Sequence, residues 1–320
     1  MQKIKACEAL RLDMFLAKHL KQSRSQVAQL IKSGGVKLNG EICDKSAAKL
    51  KASDEIELLE FAAQKPAAPC EIDFDIEILF EDEDLLVINK PAGVVVHSAA
   101  SVKEATLVDW LLAKGYALSN LNGQIRAGLV HRLDKGTSGA MIVAKNNAAH
   151  QFLSAQLADK SMGRFYLALI NLPLKDDIII VEKPLARSPK NRLKKIALKE
   201  SAKGARAAKS AFVNLLSQNG VNLIAAKLFT GRTHQIRAHL ESLNRHILGD
   251  ELYGYRGKKV ARVMLHSYFL YFTHPKSKEI CFVKAPIYKD FSMITDEFDK
   301  GEFDEKTSLD YIKHCFNACV

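Results

Sequence analysis

The 320-residue sequence contains no run of 18 apolar residues, so no transmembrane helix is expected. Its first ten residues carry Lys3, Lys5 and Glu8 and no apolar stretch long enough for a signal peptide. The six cysteines (7, 43, 70, 281, 315 and 319) have no pairing spacing, which excludes a disulfide framework and suits reduced thiols of a cytosolic protein. There is no G-x-x-x-x-G-K-[ST] and no G-x-G-x-x-G, so neither a P-loop nor a dinucleotide fingerprint is present. Gly136-Thr137-Ser138-Gly139 is one residue short of the nucleophile elbow of a serine hydrolase. His234 and His239 lie about 140° apart around a helix and would not share a face as two zinc ligands. Cys315 and Cys319 flank a polar end of the chain beside His314, better read as a terminus than as a metal site. Nothing calls for a metal or a cofactor.

Acidic charge is also in deficit, with 36 Asp and Glu against 47 Lys and Arg, a net of +11. Two blocks carry the excess: residues 1–51 have a net of +7 and residues 183–210 a net of +9, whereas 287–320 have −4. Gathered basic charge is the footprint of a polyanion binder. A membrane surface is the weaker partner, because the second block lacks an apolar face. With 48% hydrophobic and 26% charged residues the chain has an ordinary globular composition.

Periodicity divides the chain. In residues 9–60, Leu12, Phe15, Leu16 and Leu20 recur at helical spacing, Ser23 stands as an N-cap, and Val27, Leu30 and Ile31 mark a second helix ended by Gly34-Gly35. Val36–Glu41 reads as a strand entering an Asn39-Gly40 hairpin turn, and Glu55–Leu59 as a further strand. The Ala/Pro stretch within 61–72 reads as a linker. In 73–290, strands are expected over Phe74–Phe80, Leu85–Ile88, Ala140–Ala144, Phe165–Ile170, Ile178–Val181, Leu223–Leu228, Tyr268–Phe272 and Ile280–Val283, and helices over Leu107–Leu112, Asn147–Ala158 and Thr233–Leu243. Strands and helices mix without strict βαβ repetition, so the fold expected is α+β: a small αβ domain, then a domain with a mixed, mostly antiparallel sheet flanked by helices and loops. Residues 291–320 read as an acidic tail of a terminal helix or two.

Val130–Gly139 is the densest polar, glycine-rich segment and runs directly into an apolar strand. Asp134 lies between Arg132 and Lys135, where opposite charge would hold it ionised. By itself this fits equally a reactive carboxylate and a turn Asp that satisfies its own loop amides.

The segment HRLDKGTSG (131–139) resembles the signature of the RluA family of RNA pseudouridine synthases. Ile78–His97, Arg164–Ala168 (RFYLA), Leu228–Arg237 (LFTGRTHQIR) and Leu265-His266 with His274-Pro275 are similar to that family's other blocks, in its order. Arg11-Leu12-Asp13 and Ser23–Val27 resemble a small RNA-binding domain of a ribosomal protein, which precedes the catalytic domain in members acting on large-subunit ribosomal RNA. Members acting on transfer RNA often lack it. A related small-subunit family has Gly where this chain has His131.

The resemblance implies isomerisation of uridine to pseudouridine without cofactor or metal. It implies Asp134 as catalytic carboxylate, acting as nucleophile or as base, Tyr166 as the active-site tyrosine beside the uracil, and Arg232 as the partner of Asp134, with Arg132 as a competitor. The target base is expected to be flipped out of its stack. Expected RNA contacts are Arg11, Ser23, Arg24, Lys32 and Lys37 in the small domain and Arg132, Lys135, His234 and Arg237 in the large one, with block 183–210 gripping backbone phosphate. The protein is expected to be a cytoplasmic monomer. Two other classes are weighed. A non-catalytic assembly factor would not need Asp134, Tyr166 and Arg232 together. A glycoside hydrolase needs a second carboxylate, for which only the Glu81–Asp84 turn offers itself.

Overall fold

The computed structural model describes residues 2–20, 24–32, 34–58, 71–99, 102–200 and 202–317. Ser23 and residues 61–70 of the expected linker lie outside the described residues. The chain divides into two compact units, Met1–Glu71 and Ile72–Val320.

In the first unit, strand β1 (Gln2–Lys5) precedes helices α1 (Leu12–Leu20) and α2 (Arg24–Lys32), then β2 (Val36–Leu38), β3 (Glu41–Ile42) and β4 (Glu55–Leu58). The strands form an antiparallel sheet in the order β1-β4-β2-β3. Asn39 and Gly40 both have positive φ, 51° and 86°, the conformation that a two-residue hairpin loop requires. Leu12, Leu16, Val27 and Ile31 of the helices pack with Val36 and Ile56 of the sheet into one core. The strand β1 was not expected from the sequence; its four residues carry two lysines and too little alternation to read.

The second unit contains β5 (Glu77–Glu81), β6 (Leu85–Lys90), α3 (Leu107–Ala113), β7 (Ser138–Ala144), α4 (Asn147–Asp159), β8 (Gly163–Ile170), β9 (Ile178–Glu182), β10 (Leu185–Arg187), β11 (Lys195–Ala197), β12 (Lys209–Gln218), β13 (Val221–Leu228), α5 (Gln235–Glu241), β14 (Leu265–Thr273), β15 (Ile280–Lys284), α6 (Lys289–Thr295), α7 (Lys300–Lys306) and α8 (Leu309–Asn317). Nine strands form one sheet in the order β5-β6-β7-β14-β8-β13-β12-β9, with β15 also on β14. Among its described strand pairs only β7–β14 is parallel, so the mixed, mostly antiparallel sheet is as expected. Every residue of β6, β7 and β8 is buried, which is why these strands read as continuous apolar runs rather than alternations. At the β7–β14 contact a Cβ on Gly139 would lie 2.2 Å from the Ser267 carbonyl oxygen, so only glycine lets the strands approach there.

Three readings are corrected. The first strand of this unit begins at Glu77, not Phe74: Asp75 turns its side chain to the Trp110 indole N–H (3.0 Å) and Lys114 (3.2 Å) instead of joining a ladder. Helix α5 begins two residues later than expected, because His234 sits in the left-handed region (φ 59°) and cannot continue the helix. Within the basic block 183–210, Leu185–Arg187 and Lys195–Ala197 pair as the β10–β11 hairpin, and Lys209 and Ser210 begin β12. Residues 291–317 are not a separate tail: Phe291, Phe298, Ile312 and Phe316 enter the main core, and Phe316 stacks on Phe165 at 5.5 Å. Their charged residues face out from an amphipathic inner side, so net charge misreads them. No helix among the described residues is long and apolar enough to cross a membrane.

Candidate active site

Asp134 occupies the turn that feeds β7, closed by the Thr137 N–H donating to the Asp134 carbonyl at 3.1 Å. A buried ammonium supports this turn. Lys90, at the end of β6 and fully buried, donates to the carbonyls of Pro91 (2.7 Å), Val94 (2.9 Å) and Lys135 (3.4 Å). Burial brings the Lys90 pKa down to about 7; the Asp134 charge opposes the shift and Arg262 adds to it.

A cavity of about 310 Å³ opens beside Asp134, at the small end of the ~300–1,000 Å³ range of ligand sites. Its walls come from the Asp134 turn, the end of α4, β8 and the β13–α5 turn, and include Arg132, Arg164, Tyr166, Arg232, His234 and Arg237. Tyr166 is 4% exposed. Burial raises its phenol pKa; Arg164 opposes this, Asp134 adds to it, and a hydrogen-bonding contact with Ser267 opposes it. Arg164, two residues before Tyr166 on β8, donates to His131 Nδ1 at 2.8 Å. Burial and the Arg164 charge hold the His131 ring neutral by lowering its pKa.

The partners of Asp134 differ from those expected. Its Oδ2 lies 3.7 Å from Arg237 Nη1 and 3.8 Å from His234 Nε2. Both contacts exceed hydrogen-bond distance, so they bias the carboxylate by charge without occupying its lone pairs. Arg232, expected to pair with Asp134, is exposed and donates from Nε to the Ala207 carbonyl at 3.1 Å. Arg132 lines the cavity but is exposed, and Lys135 forms its ion pair with Glu104 at 2.7 Å. The backbone explains the exchange of arginines: the left-handed turn at His234 starts α5 so that Arg237, one turn in, faces the cavity. Gln235 locks that turn, accepting from the Thr230 hydroxyl (2.7 Å) and the Arg232 N–H (3.0 Å) and donating to the Lys209 carbonyl (3.0 Å) and Ser210 Oγ (2.9 Å).

Two residues not singled out in the sequence complete this side. Asp250 is 1% exposed and takes a two-pronged contact from Arg237, Nε at 2.6 Å and Nη2 at 2.7 Å. Tyr253 lies beneath the Arg237 guanidinium, 4.7 Å from ring centroid to Cζ. No sequence signal pointed to either; an Asp or Tyr 13 to 19 residues past an arginine or histidine carries no spacing rule. Burial lowers the His234 pKa; Asp134 raises it in partial compensation and Arg237 lowers it further.

In the small unit, Arg11 makes a two-pronged contact with buried Asp13 (3.0 and 2.9 Å), and Arg24 reaches the same carboxylate at 2.9 Å. Burial raises the Asp13 pKa, but the two guanidinium groups outweigh it and hold the carboxyl below its usual value. These arginines therefore brace the α1–α2 turn while remaining partly exposed. Lys32 is exposed and Lys37 half-buried.

Asp82, Asp84 and His274 bring potential ligand atoms within 4.8 Å of one another. His274 Nδ1 accepts from the Lys276 and Ser277 N–H groups (3.2 and 3.1 Å), so Nε2 bears the proton that it donates to Asp82 at 2.5 Å. The cluster is a clasp between two turns, with its ring nitrogens already engaged.

A large domain with a mixed sheet and a carboxylate–tyrosine pocket, together with a small αβ unit with basic helices, has the make-up of a nucleic-acid-modifying enzyme. The family model for RNA pseudouridylate synthase matches residues 84–242, and that for the S4 domain matches residues 10–56. A Helicobacter pylori protein named as an uncharacterized RNA pseudouridine synthase is 52% identical over 314 residues, covering 96% of both chains. The ribosomal large subunit pseudouridine synthase D of Zymomonas mobilis is 38% identical, covering 89% of this chain and 92% of its own. Among solved structures, human RNA pseudouridylate synthase domain containing 4 is similar in fold, with a TM-score of 0.55 at 23% identity, covering 69% of this chain and 92% of that one. The chain belongs to the RNA pseudouridine synthase family.

Proposed function

We propose that this enzyme isomerises uridines of large-subunit ribosomal RNA and that Asp134 is its reacting carboxylate. The observation that carries the site assignment is the shared cavity of Asp134 and Tyr166, with Arg237 and His234 biasing the carboxylate. The S4 match and the large-subunit synthases of Zymomonas mobilis and Neisseria meningitidis support the ribosomal substrate. The expected grip on RNA falls to the two basic blocks, and exposed Arg132 and Arg232 at the cavity mouth suit phosphate contacts.

In the reaction the bond from ribose C1′ to uracil N1 breaks, the base rotates, and C1′ bonds to C5. The C5 proton leaves and N1 gains one, so no net atom is added. Asp134, unsaturated by its partners, is placed to meet C1′ as nucleophile or to act as base. Tyr166 offers a ring face for the uracil and a hydroxyl that can relay the departing C5 proton, giving up its own proton as it accepts. Arg237 takes the charge-partner role that resemblance assigned to Arg232.

Asp134→Asn is expected to abolish pseudouridine formation in a large-subunit ribosomal RNA transcript while leaving RNA affinity within about twofold. Base-resolution mapping of the product checks this; appreciable turnover by the variant would remove Asp134 from the reaction. Equal turnover of a transfer RNA transcript would remove the ribosomal assignment alone.

A further inference from the structure

Tyr253 is fully enclosed, at 1% exposure, in a single helical turn at Glu251–Tyr253. Its phenol oxygen accepts the backbone N–H of Lys195, in strand β11 of the basic hairpin, at 2.8 Å. With that bond accepted, its own proton is directed to His234 Nδ1, 3.1 Å away. A neutral imidazole that accepts at Nδ1 carries its hydrogen on Nε2, the atom 3.8 Å from Asp134. The same ring supports the Arg237 guanidinium on its face and meets the His234 ring edge-on at 5.6 Å. Lys194 also lies over it, Nζ at 5.1 Å from the centroid, and pairs with Glu241 of α5. Both groups that face Asp134 therefore rest on one side chain, and that side chain's third attachment is the hairpin backbone.

We infer that Tyr253 is a positioning residue that makes the arrangement around Asp134 depend on how the basic β10–β11 hairpin is seated. The inference rests on the proposed function, in which the hairpin grips RNA. RNA phosphate drawn to exposed Lys190 and Arg192 at the hairpin tip fixes β11. The Lys195 N–H then holds the phenol oriented, and the phenol holds the His234 tautomer and the Arg237 plane. An unseated hairpin leaves Tyr253 free to turn its proton elsewhere, and Asp134 loses its ordered partners. Substrate grip and catalytic geometry are thus joined through about one hydrogen bond at each step.

The test is steady-state conversion of uridine in a ribosomal RNA transcript by the full-length protein. Tyr253→Phe removes only the phenol oxygen; kcat is expected to fall about tenfold, the worth of one hydrogen bond, with KM within twofold. Lys190→Ala with Arg192→Ala, at exposed positions that do not threaten folding, is expected to raise KM and also to lower kcat several-fold. Added to Tyr253→Phe, the tip substitutions are expected to raise KM only. A wild-type kcat in Tyr253→Phe overturns the inference. So does a tip variant that changes KM alone, a result that stands even where Tyr253→Phe fails to fold. Equal kcat losses from the tip substitutions in both backgrounds overturn it as well. A wild-type protein that converts no uridine in the transcript would instead count against the proposed function.

Discussion

Replacing Lys90 by Met keeps the length of a fully buried side chain and removes its charge and hydrogens. Two terms oppose each other. The carbonyls of Pro91 and Val94, 2.7 and 2.9 Å from Nζ, lose their donor, at ~1–3 kcal/mol for each buried acceptor left unpaired. The Lys135 carbonyl loses less, because the Gly93 N–H still reaches it at 2.8 Å. Against this, the wild type bears the cost of burying an ammonium, expressed in a pKa brought from 10.5 to about 7. At about 1.4 kcal/mol per pH unit that cost approaches ~5 kcal/mol below pH 7. The sign follows from linkage. Between about 7 and 10.5 the unfolded chain binds the proton that the native form lacks, so wild-type stability rises with pH across that window. The Met variant has no such proton. The gap in stability, wild type over variant, should therefore widen by about 2–3 kcal/mol between pH 6 and pH 9. Urea unfolding of both proteins at the two pH values measures it, and other titrating groups cancel in the difference. A gap that stays constant would show that the ammonium carries no such burial cost.

Three further outcomes follow from packing and charge. Phe316→Ala removes a fully buried ring from the main core and should destabilise by ~3–5 kcal/mol in urea unfolding; a change within error would detach α8 from the core. Arg237→Met leaves the Asp250 carboxylate buried without its cation and should cost ~3–5 kcal/mol, partly restored in Arg237→Lys; equal stability of all three proteins would deny the pair its structural role. Lys32→Ala with Lys37→Ala should leave folding intact and reduce the slope of log affinity against log salt by about 1–2 for RNA; an unchanged slope would remove both lysines from the phosphate contacts.

Strands β6, β7 and β8 are readable because their residues are buried on both faces and so form unbroken apolar runs. The Asn39-Gly40 hairpin was readable because its turn conformation selects those residue types. Asp134 and Tyr166 were found through motif resemblance, and both line the cavity. What failed to read were partnerships. Arg132 and Lys135 adjoin Asp134 in sequence, yet Lys135 turns to Glu104, 31 residues away. Arg232 and Arg237 share one short motif, and a single positive φ at His234 decides which of them faces the carboxylate. The β10–β11 hairpin is not legible from the sequence, because its partner Tyr253 lies 58 residues beyond Lys195. Tertiary contact, rather than local propensity, settles each of these.

Strand β14 lies in the middle of the large sheet, with β7 on one side and β8 on the other. It is also among the last strands in chain order, at residues 265–273. During synthesis the half-sheet β5-β6-β7 and the half-sheet β8-β13-β12-β9 must wait, each with an unpaired inner edge, until this strand emerges from the ribosome. Asp134 enters on one half and Tyr166 on the other, so a growing chain holds these two cavity residues apart until β14 has emerged. Such long-range closure also predisposes the domain to slow folding and makes its open edges natural clients for chaperones.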